Sequence, residues 1–452
     1  MPSIAKILAV PAVGAYYFDD LAALQAEPMP PAERYTAAPV TPGFRRVREP
    51  AEAVSVGLAL DDGRVAWGDC VAVEFSGKAG RDPVFRAQEG MAAIRRTVAP
   101  ALKGRALTGF REIAAEVEAL TESVEVERPL PKPEPGRELS RRELLAAPAR
   151  LLHPAPHTER VTVERRLHTA LRYGVSQALL KAVALARGTT MAQVICEEWD
   201  LPLPGEPIPL HAQCGANRFD GADKMIARRV ASLPHSLADN IPEHIGQDAI
   251  VLTRYARWLK ARIRELGGPD YRPTIHLDVH GALGQILGNN LGRVLGSLYA
   301  LEQAVQPYPL RIECPVMMGS REAQIEGMKT LREYVRLRKM KVQLVADEWA
   351  NTLDDIRAFV EAGAADMIQV KMPDLGGVHN SVEAVLACKA GGVGAFLGGS
   401  CAETDLSARV SAHVALAARP DIVMAKPGMG VDEGIAIVSN EMARALAQMR
   451  EA

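Results

Sequence analysis

Between residues 274 and 371 the chain repeats one pattern, a short apolar run that stops at a charged side chain. The four runs are Thr274-Ile275-His276-Leu277-Asp278, Leu310-Arg311-Ile312-Glu313, Gln343-Leu344-Val345-Ala346-Asp347 and Asp366-Met367-Ile368-Gln369-Val370-Lys371. Apolar runs this short, with helical patterns between them, read as buried parallel strands of βαβ units. Asp278 and Glu313 are 35 positions apart, and Glu313 and Asp347 are 34 apart. Either interval holds one strand and its returning helix, a unit of about 30 residues or more. In a closed parallel barrel the C-terminal ends of the strands face one mouth. Asp278, Glu313, Asp347 and Lys371 are therefore expected to converge there.

A single acid at a strand end ordinarily caps a helix. Three on successive strands, followed by a lysine, point to a site. Three carboxylates in a dry mouth repel one another unless positive charge sits among them. Oxygen ligands in that number suit a hard cation, Mg²⁺ first. Lys371 then stands as a base beside the metal.

The alternation continues on both sides. From Ile208 onward the candidate strands are 208–213, 225–231, 274–279, 309–314, 342–347, 366–371, 394–398 and 422–425. Helical patterns lie near 251–266, 289–304, 320–337, 352–362, 377–390 and 403–418. Eight such units predict an α/β fold closed as a (β/α)8 barrel. Gln213 ends the first strand, and His235 follows the second in Leu233-Pro234-His235-Ser236. Gln369 precedes Lys371 by two positions, so the two side chains point the same way. Gly398-Gly399-Ser400-Cys401 ends the seventh strand; glycines before a helix N-terminus can free N–H groups for a carboxylate, or simply make a turn. Lys426-Pro427-Gly428-Met429-Gly430 ends the eighth and reads as a turn. His235 and Lys371 could serve opposite faces of one substrate. His276 is expected deeper, as packing, whereas His280 lies past the strand end and could reach solvent or the site.

The first 205 residues have another rhythm. Strands are expected over 4–13, 53–60 and 65–71, with Asp61-Asp62-Gly63 as a hairpin turn. The loop Glu74 to Pro83 is polar and glycine-bearing, suited to binding or to plain connection. Helical patterns follow near 84–98, 109–120, 168–186 and 191–199. Between about 117 and 158, seven prolines among Glu and Arg predict an exposed insertion with a short helix near Ser140 to Leu145. Pro202, Pro204, Pro207 and Pro209 mark a boundary, giving a first domain over 1–205 and the barrel over 206–452.

Net charge is −2 over 452 residues, which argues against nucleic acid or a membrane surface as partner. No apolar run reaches the 18 residues or so of a membrane span, and the N-terminus lacks the shape of a signal peptide. Six cysteines without a C-x-x-C spacing read as reduced cytoplasmic thiols and speak against zinc.

Several longer motifs carry a family resemblance. They are Tyr16-Tyr17-Phe18-Asp19-Asp20, Thr41-Pro42-Gly43-Phe44, Gly68-Asp69-Cys70, Gly80-Arg81-Asp82-Pro83 and Arg172-Tyr173-Gly174 in the first domain. Val345-Ala346-Asp347-Glu348-Trp349, Pro373-Asp374-Leu375-Gly376-Gly377 and the Lys426 motif follow in the second. In these the chain resembles the methylaspartate ammonia-lyase family of the enolase superfamily, over nearly everything except the insertion. The resemblance implies an N-terminal α+β capping domain over a modified (β/α)8 TIM barrel, paired as a homodimer. It implies Mg²⁺ at Asp278, Glu313 and Asp347, and leaves room for a monovalent cation such as K⁺ without deciding whether one is required. It implies that Lys371 takes the C3 proton of (2S,3S)-3-methylaspartate, an amino-diacid, and that His235 is the acid–base group on the opposite face. The product would be mesaconate and ammonia. Substrate contacts would come from Gln213, Gln369, Ser400, Cys401 and Glu74.

Three stretches depart from the family pattern. Glu74 stands where the family usually has Gln, Gln213-Cys214-Gly215-Ala216-Asn217 replaces Gln-Ser-Gly-Asp-Asp, and Ser400-Cys401 replaces Thr-Cys. These bear on the substrate rather than the chemistry, and a carboxylate at 74 would bind an ammonium more strongly than an amide does. Two other readings follow from the same residues. One is an epimerase or dehydratase of this superfamily acting on another carboxylate. The other is a non-catalytic binding protein on this fold.

Overall fold

The computed structural model describes residues 1–27, 29–129, 158–215, 217–236, 240–427 and 430–451. Strands β1 (Ile4–Asp19), β2 (Arg48–Leu60) and β3 (Val65–Val71) form an antiparallel sheet in that order. The helix Thr169–Arg187 packs on β3 and β2. Two glycines permit this approach. A Cβ on Gly68 would lie 2.1 Å from Gly174 O, and a Cβ on Gly174 would lie 2.4 Å from Cys70 N. The motifs Gly68-Asp69-Cys70 and Arg172-Tyr173-Gly174 are thus the two sides of one contact, with no room for any side chain between them.

The insertion differs from its expectation at both edges. β4 (Thr121–Pro129) pairs antiparallel with β5 (Thr158–Arg166), from Thr121 opposite Arg166 to Pro129 opposite Thr158. This two-stranded ribbon escaped the sequence reading because residues 130–157 separate its strands, far more than a hairpin turn, and the prolines there drew attention from the period-two alternation of valine with charged residues that signals a strand. The short helix expected near Ser140 lies outside the described residues.

The barrel is closed and parallel, as expected. Its strands are β6 (Leu210–Gly215), β7 (Ser232–Ser236), β8 (Thr274–Asp278), β9 (Leu310–Glu313), β10 (Gln343–Ala346), β11 (Met367–Lys371), β12 (Gly394–Gly398) and β13 (Ile422–Met424). Val345, Met367, Phe396, Ile422 and Met424 form one buried cluster among these strands. Burying a side chain of this size stabilises by about 1.5–3 kcal/mol relative to leaving it exposed.

The second strand was misplaced. Residues 218–227 form a helix, and the strand is 232–236 rather than 225–231. Ala222, Met225 and Ile226 are buried at three- and four-residue spacing along that helix, so their apolar run belongs to a helical face. Among the described residues, no single helix is long and apolar enough to cross a membrane. The six cysteines are free and buried.

Candidate active site

Asp278 and Glu313 are register partners on the paired ends of β8 and β9. Asp347 lies one position past β10, which pairs with β9, and Lys371 ends β11, which pairs with β10. Parallel register therefore brings the three acids and the lysine to one mouth, and all four are buried. Just beyond each acid the chain turns through a left-handed non-glycine residue: His280 (φ 44), Cys314 (φ 44) and Trp349 (φ 69). Such backbone costs about 1–3 kcal/mol per residue and concentrates at functional sites.

Each acid is held by its own partners. Lys371 Nζ donates to Asp347 Oδ2 at 2.7 Å. Arg81 Nη2, from the capping loop, lies 3.3 Å from Asp347 Oδ1. Gln369 Nε2 donates to Glu313 Oε1 at 2.6 Å, and His276 Nε2 lies 2.7 Å from Glu313 Oε2. His235 Nε2 and His280 Nε2 stand 3.2 and 3.3 Å from Asp278 Oδ2. His235 and Lys371 thus flank the acid cluster from different strands. His280 turns into the site, not to solvent. His276 is more than packing, since it bonds one of the three acids directly.

Burial first, then Asp278 and Asp347, push the Glu313 carboxyl well above the usual carboxylate range. Burial acts on Asp278 in the same direction, but His280 and His235 outweigh it and hold that carboxyl low. Burial lowers His280, yet Asp278 and Glu348 raise it to about 9. For Lys371, burial and Arg81 favour the neutral amine, while Asp347, Glu348 and Asp374 leave the net shift upward. Burial, His211 and His235 keep His276 well below the usual histidine value, so it is neutral.

The capping domain closes the site. Val73, Glu74, Phe75 and Arg81 line it together with Gln213, His235, Asp278, His280, Gln369, Lys371 and Gly399 to Cys401. Glu74 N donates to Ser400 Oγ at 3.0 Å, and Cys401 Sγ donates to Gln213 Oε1 at 3.3 Å. All the expected site residues are therefore brought together. Sequence reading missed Arg81, whose Nε lies 2.7 Å from Asp374 Oδ2 and whose Nη1 lies 3.9 Å from Glu348 Oε1. It also missed Glu348, held at about 2 because His280 and Arg81 overcome its burial. Only the Gly80-Arg81-Asp82-Pro83 and Asp347-Glu348 motifs hinted at either. Size does not locate the site: a larger cavity of about 770 Å³ lies between the ribbon and residues 83–96, away from these acids.

The site fits Mg²⁺. Two other groupings place ligating atoms within 4.8 Å of one another, His235–His276–Glu313 and Asp278–His280–Asp347. Both include imidazoles, which here serve as partners to the acids. Asp278, Glu313 and Asp347 are not one of these two groupings, but their carboxylates would offer the all-oxygen set that Mg²⁺ prefers. Burial is the largest cause of the raised Glu313 carboxyl; the smaller part from Asp278 and Asp347 is negative charge that a cation would relieve.

Comparison with known proteins agrees over the whole chain. The family model Methylaspartate ammonia-lyase C-terminus matches residues 202–451, and Methylaspartate ammonia-lyase N-terminus matches 2–131 and 139–200. The chain is 46% identical over 444 residues to methylaspartate ammonia-lyase 1 of Carboxydothermus hydrogenoformans, covering 98% of this chain and 96% of that one. It superposes on the Citrobacter amalonaticus methylaspartate ammonia-lyase containing (2S,3S)-3-methylaspartic acid with a TM-score of 0.86, at 40% identity, over 99% and 100% of the two chains. The Mg complex of Clostridium tetanomorphum β-methylaspartase gives 0.82, at 38% identity, over 99% of each chain. Muconate lactonizing enzyme from Pseudomonas fluorescens, 16% identical with a TM-score of 0.56, over 92% of this chain and 85% of that one, shares the fold.

Proposed function

The chain belongs to the methylaspartate ammonia-lyase family, and from that premise we propose that it removes ammonia from (2S,3S)-3-methylaspartate or a closely related substituted aspartate, giving mesaconate or its analogue. The observation that carries the reading is the placement of Lys371 and His235 on either flank of three buried acids.

Lys371 Nζ accepts the C3 proton, the C2–N bond breaks, and the C3–H electron pair becomes the C2=C3 double bond. The nitrogen leaves with its electron pair as ammonia. Lys371 must be neutral to do this. Asp347, Glu348 and Asp374 now hold its proton. Once their charge is compensated, burial and Arg81 remain, and both favour the free amine. Asp278, Glu313 and Asp347 would hold Mg²⁺, which when bound would supply that compensation and Lewis-acid stabilisation of charge on a carboxylate. Gln369 places an amide donor at the same mouth, and a preorganised donor of this type is typically worth about 10²–10³ in rate. His235, on the Asp278 side, serves the opposite face as acid or base. Glu74 faces the substrate from the cap, where its carboxylate would pair with the amino group. Family membership also supports a homodimer, which light scattering on the purified chain would measure.

The reading is tested by supplying the purified protein and Mg²⁺ with a panel of substituted aspartates, quantifying ammonia and the absorbance of a conjugated diacid. Ammonia release with matching absorbance is expected. Deuterium uptake at carbon without ammonia release would transfer the site to an epimerase.

A further inference from the structure

A second lysine at the barrel mouth is left unused by this chemistry. Lys426, two positions beyond β13, lies 3.1 and 3.0 Å from the two carboxylate oxygens of Glu403 and 3.1 Å from Gly398 O. Both side chains are fully buried. An ammonium has three N–H donors, and here three oxygens face them, so Lys426 is placed to hold its neighbours rather than to exchange a proton with a substrate.

Its partner is the centre of a wider arrangement. Glu403 Oε1 accepts from the hydroxyl of Tyr173, on the capping helix, at 2.6 Å. Glu403 Oε2 accepts from the backbone N–H of Ser400 at 2.9 Å. The fit is tight: a Cβ on Gly399 would lie 1.9 Å from Glu403 Oε2 and 2.7 Å from Lys426 Nζ. Next along the chain, Thr404 Oγ1 donates to Asp69 Oδ2 of β3 at 2.5 Å. Ser400 in turn receives the N–H of Glu74. The segment carrying Ser400 and Cys401 is thus held between the last barrel strand and the cap. A buried ion pair is by itself weak evidence of stabilisation. What this pair does with its geometry is orient one backbone segment.

We propose that Lys426, Glu403 and Tyr173 are positioning residues that hold Ser400 and Cys401, and through them Glu74, in place for substrate recognition. This rests on the reading that Ser400 and Cys401 face the substrate. Losing the network would loosen that segment and weaken substrate binding while leaving the three acids on β8 to β10 undisturbed.

The test uses the full chain, Lys426→Met and the nearly isosteric Tyr173→Phe, which loses only a hydroxyl and so remains folded if Lys426→Met does not. Alkylation by iodoacetamide is followed peptide by peptide. Cys401 is expected to react about tenfold faster in Lys426→Met and several-fold faster in Tyr173→Phe, through local opening, while Cys70 and Cys314 keep their rates. KM is expected to rise about tenfold with kcat little changed, and Mg²⁺ affinity by calorimetry to stay constant. Parent-like Cys401 reactivity in folded variants would overturn the proposal, as would equal acceleration of every cysteine. If the parent turns over no aspartate, the lyase reading fails separately, and the alkylation rates still decide this one.

Discussion

Lys371 donates to Asp347 across 2.7 Å, from the strand paired with the one that leads to that aspartate. On the far flank His235, on the strand next to Asp278, faces that acid at 3.2 Å. Two bases bracket one anionic centre. Lys371→Ala is expected to lower kcat by about 10³-fold or more, since a positioned proton acceptor contributes about 10²–10⁴, and to stop solvent deuterium entering C3. Full activity in that variant would remove Lys371 from proton abstraction.

His276 bonds Glu313 Oε2 while Gln369 bonds Oε1, so both oxygens of one expected metal ligand are oriented from behind. Partners of this kind are worth about 10–100-fold in metal affinity. His276→Leu is expected to weaken Mg²⁺ binding by that factor in calorimetry. His276→Gln, which keeps a donor, should recover most of it.

Glu74 is buried in the cap and lines the pocket at the barrel mouth. Hydrogen bonds to charged groups are worth about 1.5–3 kcal/mol, against about 1 kcal/mol for neutral ones. Glu74→Gln is expected to raise KM for the aspartate about three- to tenfold. It should also tighten inhibition by mesaconate, a dicarboxylate without an ammonium. Movement of both constants in the same direction would show that the charge at 74 does not read the amino group.

Far from the site, Glu441 is held at about 2 by His413 first, with Arg444 and Arg409 adding to it and burial opposing. A depressed carboxyl adds stability that is complete above its unfolded value of 4.5 and is lost as pH falls toward 2. Glu441→Gln is expected to cost about 1–3 kcal/mol near neutral pH. Apparent Tm measured against pH should show that gap closing between about 4.5 and 2, because both chains are then uncharged at 441.

Much of the barrel was legible because its strands are short and buried, and four in succession, β8 to β11, end at or one position before a charge. Asp278, Glu313, Asp347 and Lys371 followed from that rhythm. The ribbon Thr121–Pro129 with Thr158–Arg166 was not legible, because its strands pair across residues 130–157 and no short turn announces the pairing. The strand at Ser232 was obscured by the neighbouring helical run at Met225 and Ile226.

Chain order and side-chain type by themselves determined that acids and a lysine end consecutive parallel strands, because parallel pairing with right-handed returns sends those ends to one face. They could not determine which atoms meet across that face. Arg81 reaches Asp374 from 293 positions away, Tyr173 reaches Glu403 from 230, and Lys426 closes on Glu403 instead of solvent. The first two pairings are set by how the cap lies on the barrel and the third by packing at the barrel mouth, and only the folded chain brings these groups within hydrogen-bond range.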